Sequence, residues 1–207
     1  MLADESRKEP CMAQQYSKED IRKVTILQFA LLAVLLAVAF VLYYFLAVRP
    51  NGTWIGLQPI VKNNLAWLWM LPGLTVPLLI LYVFLKLIPS MDYIYDENVR
   101  ALADMYSLKF MVGYFLINAF MEEVLFRGAL QCSIGLLPAA IIFTLVHVSY
   151  YKKPLMLVEV FVLGLFIGFL FEMTQSLWIT TICHAAYNWI LMWLIKTERV
   201  QYRQSNL

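Results

Sequence analysis

Residues Phe120–Gly128 read FMEEVLFRG, two adjacent glutamates and an arginine inside a run otherwise apolar enough for lipid. A charge near the centre of a bilayer costs at least a few kcal/mol, so such side chains are paired, turned inward and usually functional. Glu123 and Arg127 are four residues apart, which places them on one helical face where they can neutralise each other. Glu122 points about 100° away from Glu123, on the same face as Asn118 one turn earlier. Nothing local is expected to compensate it, so its partner is expected on another helix.

The chain has two histidines, and both suit that role. His147 follows Phe143 by four residues in FTLVH, and His184 precedes Asn188 by four in HAAYN. Both lie in apolar runs. A glutamate, two histidines and an asparagine delivered by three membrane segments must converge in the interior, because hydrocarbon offers them no hydrogen bonds.

The class of the chain follows from its solvent. Of 207 residues 62% are hydrophobic and 14% charged, with a mean hydropathy of +0.70, against roughly 45–50% and 25% in soluble domains. An integral, multi-pass membrane protein is expected, all-α, as a helical bundle of about six spans around an intramembrane polar site. A net charge of +2 without a basic cluster gives no reason to expect a nucleic-acid partner. The three cysteines, Cys11, Cys132 and Cys183, form neither a disulfide framework nor a metal-binding spacing.

Four regions succeed one another. Residues 1–23 read as a polar cytoplasmic tail, and 24–104 as two N-terminal spans with their loops. Residues 105–195 read as a core of four transmembrane helices, and 196–207 as a cytoplasmic C-terminal tail. The first apolar run, Val24–Val48, is too long for the core of a signal peptide and reads as an uncleaved span. The second runs over Leu65–Ile88, with Pro72, Gly73 and Pro77 expected to kink it. Residues 89–104 then read as a solvated loop or surface helix. The third span, around Phe110–Gln131, puts Glu122 near mid-membrane, and the fourth covers Leu136–Tyr151 with His147 past its centre. The fifth, Leu155–Phe171, carries Gly164 and Gly168 at a spacing that lets helices approach closely. Glu159 and Glu172 near its two ends read as interfacial residues. The sixth, Ser176–Ile195, carries His184 and Asn188. Lys and Arg concentrate in the N-terminal tail, the second and fourth connections and the C-terminus, so both termini are expected in the cytoplasm, across the cell membrane.

A His–Glu pair in a sealed site can take a proton from water, and a second His with an amide can hold the oxyanion formed when that water attacks a peptide carbonyl. Acyl hydrolysis uses all four groups. The patterns Glu-Glu-x-x-x-Arg at 122–127, Phe-x-x-x-His at 143–147 and His-x-x-x-Asn at 184–188, in that order, resemble the CPBP (Abi) family of intramembrane proteases. That family includes the type II CAAX prenyl endopeptidases and bacteriocin-processing or self-immunity proteins. The resemblance covers about residues 105–195; the first two spans and the tails lie outside it.

The resemblance implies an intramembrane endopeptidase acting on a membrane-associated protein or peptide within the lipid bilayer. It implies Glu122 as general base, His147 assisting it, and His184 with Asn188 on the oxyanion side. Glu123 and Arg127 are motif members, with Arg127 holding the glutamates in place and Phe143 packing beneath His147. The catalytic type stays open. Glu122, His147 and His184 together could bind zinc with a water in the fourth position, yet the His-Glu-x-x-His spacing of zincins is absent. A metal-independent, glutamate-activated water is favoured. A non-catalytic immunity or scaffold protein, and a proton-coupled transporter, are the competing readings.

Overall fold

In the computed structural model, which describes residues 18–58, 65–87 and 102–197, every regular element is helical. The tail before residue 18, the acidic connection around 88–101 and the C-terminal tail beyond 197 lie outside the described residues. The fold is an all-α membrane bundle. Helix α1, Lys18–Tyr43, starts six residues before the apolar run, inside the stretch expected as tail, and continues as a π-helix over Tyr44–Val48. One face of α1 buries Leu32, Ala39 and Tyr43, while Leu27, Leu31, Val34 and Val41 stay exposed. In water the second face would be a liability; in a bilayer the lipid covers it.

Helix α2, Met70–Leu87, contains Pro77 as expected, and Gly73 lets Cys183 approach, since a Cβ there would lie 2.6 Å from the thiol sulfur. Helix α3, Leu108–Glu123, is capped by Ser107, whose hydroxyl accepts from the amide of Phe110. It then widens into an 8-residue π-helix, Val124–Gln131. Segments of this kind insert a residue into the helical ladder and re-aim side chains, often at functional sites. Gly135, at φ +87°, adopts a conformation that a side chain would strain, and turns the chain into α4, Leu136–Leu145. Helix α5, Pro154–Thr174, opens on a proline whose missing N–H costs nothing there. Helix α6, Leu177–Lys196, is capped by Ser176.

Three described helices are long and apolar enough to cross a membrane: Glu19–Asn51, Ala66–Lys86 and Pro154–Thr174. Helices α3 and α6 carry the polar residues of the site, which dilute their hydropathy. The fourth span needs correction. Helix α4 has 10 residues, about 15 Å of rise against a hydrocarbon core of about 30 Å, so it does not run from Leu136 to Tyr151. It stops at Leu145, and His147, with φ −81° and ψ 56°, leads into a 3-10 turn at Val148–Tyr150 instead of standing on the helix.

Helix α6 packs most extensively on α3, and α4 on α5. The Gly164 and Gly168 pair explains the second contact: a Cβ on Gly164 would come within 3.0 Å of Phe143, and one on Gly168 within 2.3 Å of Leu136. Their carbonyls accept hydrogen bonds from Arg127 at 3.0 Å and Gln131 at 2.9 Å. Two donors four residues apart on the π-helix thus latch onto two acceptors four apart on α5. Helix-to-helix bonds of this kind replace the water that hydrocarbon does not supply, although Nη1 of Arg127 is left without a hydrogen bond of its own.

Candidate active site

The end of α3 delivers Glu122 and Glu123 to the same histidine from two sides. Oε1 of Glu123 lies 2.9 Å from Nδ1 of His184, and Oε2 of Glu122 lies 3.6 Å from Nε2. The partner of Glu122 on another helix is therefore His184, facing a gap slightly longer than a hydrogen bond. Local compensation exists as well, contrary to expectation: Asn118 donates to Oε1 of Glu122 at 2.7 Å. That bond fixes the carboxylate one turn below it.

Glu123 is fully buried. Its Oε2 lies 3.3 Å from Nε of Arg127, as the four-residue spacing requires. Arg127, also buried, donates through Nη2 to the Gly164 carbonyl and lays its guanidinium over the Phe143 ring, 4.8 Å from the centroid. A buried guanidinium is tolerated only when charge, hydrogen bonds and an aromatic face together replace water. Arg127, Glu123 and His184 consequently form one chain of contacts from α5 to α6.

Phe143 lies under His147, with ring centroids 4.8 Å apart, and its carbonyl is 2.6 Å from Nδ1 of His147. A carbonyl only accepts, so Nδ1 carries the proton of this contact. His147 is oriented by the residue four before it, even though α4 has already ended.

Glu122, Arg127, His147, His184 and Asn188 all line one cavity of about 240 Å³ between α2, α3, α5 and α6. Glu123 stands behind it, holding His184. Thr180, on the same face of α6, is buried and spends its hydroxyl on the Leu177 carbonyl at 3.1 Å. Cys183 packs among Ala66, Ile167, Leu170 and Ile179.

Two further residues of the cavity escape the sequence reading. Glu159, expected at the interface, is 6% exposed and faces the cavity, where its Oε1 accepts a 2.5 Å hydrogen bond from Tyr187. Tyr187 stands three residues after His184 on α6, a spacing that shares a helical face and could have found it. Glu172 is exposed, as an interfacial residue should be.

Zinc can be tested against this arrangement. Both histidines hold Nδ1 on an acceptor, which is how metal-bound histidines are oriented. However, among the described residues no group of three or more His, Cys, Asp or Glu side chains comes together at metal-binding spacing. As arranged, the residues do not fit zinc.

Residues 104–190 match the family described as type II CAAX prenyl endopeptidase Rce1-like. This is the family that the three motifs resemble. It is a family of proteases, and the match runs from just before α3 into α6, covering Glu122, His147, His184 and Asn188. The chain is also 30% identical over 119 residues, 56% of its length, to the uncharacterized protein YpbD of Bacillus subtilis (strain 168). It spans 62% of that relative's length. No solved structure matches the chain.

Proposed function

We propose that the chain is an intramembrane endopeptidase that hydrolyses a peptide bond of a membrane-associated protein or peptide with a water activated by Glu122. The observation that carries this reading is the clamping of His184 between Glu122 and Glu123 beside His147 and Asn188. With Glu123 accepting from Nδ1, His184 turns Nε2 toward Glu122 and the cavity. The two carboxylates of the cluster stand against the Arg127 guanidinium and the His184 ring, pairings that make such charges bearable in lipid.

In this reaction Glu122, assisted by Nε2 of His147, takes a proton from water, and the hydroxide adds to the scissile carbonyl carbon. The oxyanion is held by Nε2–H of His184 and the side-chain amide of Asn188. Collapse of the tetrahedral intermediate breaks the C–N bond, and the proton on Glu122 passes to the leaving nitrogen, restoring the carboxylate. Arg127 acts through Glu123, which holds His184. No step needs a metal. Prenylated C-terminal tails, peptide precursors and membrane-anchored tails are all compatible substrates. The distribution of Lys and Arg supports an orientation with both termini in the cytoplasm.

The test compares membrane-protein fragments from cells expressing the wild-type chain or Glu122→Gln at equal levels. Fragments present only with wild type support hydrolysis; identical fragments would favour the non-catalytic scaffold.

A further inference from the structure

The reaction above leaves Glu159 and Tyr187 unused, although both line the cavity and both are buried. The Tyr187 hydroxyl donates to Oε1 of Glu159 at 2.5 Å. Tyr187 lies three residues beyond His184, about 4.5 Å along the α6 axis. The pair is therefore roughly one residue's reach from the oxyanion side. Around it the wall is apolar, with Met156, Val160 and Leu163 from α5 and Leu191 from α6. Among the described residues no Lys, Arg or His side chain lies at ion-pair distance from Glu159. The guanidinium of Arg127 is already engaged by Glu123 and the Gly164 carbonyl.

A carboxylate buried without a counter-charge is unfavourable; it is relieved either by a proton or by a cation from outside, and a cavity beside it leaves room for the second. Tyr187 serves one oxygen; the second is open to a ligand. The apolar wall suits the methylene stem of a long basic side chain, whose charged head would then meet the carboxylate. With Oε1 engaged by Tyr187, the carboxylate cannot present both oxygens to a guanidinium fork, which favours a compact ammonium.

We propose that Glu159, held by Tyr187, is a specificity-determining residue that receives the ammonium of a substrate lysine close to the scissile bond. Cleavage of the bound lysine peptide rests on the protease reading; the binding itself does not. Its test uses the full-length protein in lipid nanodiscs with N-acetylated fluorogenic decapeptide pools, identical except for one added residue: lysine, arginine or norleucine.

The wild-type protein is expected to cleave the lysine pool with kcat/KM roughly thirty-fold or more above the norleucine pool, the lower end of what removing one partner of a buried, hydrogen-bonded charge pair costs. In Glu159→Gln the ratio should collapse toward one, mainly through KM. Tyr187→Phe, which frees Oε1, should raise the arginine pool relative to lysine. A second arm needs no cleavage: the same pools are titrated into Glu122→Gln protein and read by tryptophan fluorescence. Lysine-selective binding there, absent from Glu122→Gln/Glu159→Gln, sustains the ammonium site even if the wild type cleaves nothing, in which case only the protease reading falls. Equal loss on lysine and norleucine pools in Glu159→Gln, as a merely structural strap between α5 and α6 would give, overturns the site. So does equal binding of the two pools to Glu122→Gln protein.

Discussion

Nδ1 of His184 lies 2.9 Å from the carboxylate of Glu123, which is fully buried and ion-paired with Arg127 on its other side. A histidine so held presents its second ring nitrogen to the cavity in one orientation only. Glu122 and Glu123 are adjacent in sequence but unlike in placement: one lines the cavity and the other fixes the histidine opposite.

Asn188 should matter to turnover more than to substrate capture. Asn188→Ala is expected to lower kcat by roughly 10²–10³, the loss seen when one oxyanion donor is removed, with little change in KM. Steady-state cleavage in proteoliposomes reads both, and an effect confined to KM would place Asn188 in substrate binding instead.

Arg127 and Glu123 are predicted to be strongly coupled in stability. Arg127→Met strands a buried carboxylate and should cost about 3–5 kcal/mol, whereas Glu123→Gln/Arg127→Met removes both charges and should recover much of that loss. Thermal unfolding in detergent, followed by circular dichroism, separates the two. Additive losses would show that the ion pair contributes little.

Two glycines should respond oppositely to the same change. In Gly168→Ala the new methyl meets Leu136 at 2.3 Å and the Oε1 of Gln131 at 2.8 Å. Displacing Gln131 would break its bond to the Gly168 carbonyl, so a loss of about 1–3 kcal/mol is expected. A Cβ on Gly113 meets nothing within 4 Å, and Gly113→Ala should stabilise α3 by up to about 1 kcal/mol. Unfolding temperatures of the two variants provide the check.

Metal content distinguishes the two catalytic types. Purified, active protein is expected to hold far less than one zinc per chain and to cleave in the presence of a strong chelator. One tightly bound zinc per chain, lost together with activity in His184→Ala, would show zinc chemistry instead.

What the sequence reveals depends on whether a residue's partners lie within one turn or across the bundle. Helical spacing alone places Arg127 beside Glu123 and Asn118 below Glu122. The cost of charge in lipid is enough to send Glu122 to a partner on another helix. Glu159 is misplaced by the sequence because hydropathy locates a residue along the membrane normal but not around the helix axis; near a span's end, it reads as interfacial. His147 reads as helical because Leu145, Val146 and Val148 around it include no glycine or proline to signal a stop. The π-helix at Val124–Gln131 likewise has no residue signature, being set by the need to aim Arg127 and Gln131 together at α5.

The short α4 bears on where water can reach a polar cavity embedded in lipid. A helix covering about half the hydrocarbon thickness leaves the rest of that depth to the turn that carries His147 and to the lysines at 152 and 153 just beyond it. Acyl chains beside such a stub must shorten or tilt to match it, so headgroups and the aqueous phase dip toward the protein at this point of its perimeter. On that matching the dip falls next to His147, on the wall of the cavity, whereas α1, α2 and α5 are long and apolar enough to cross the whole thickness.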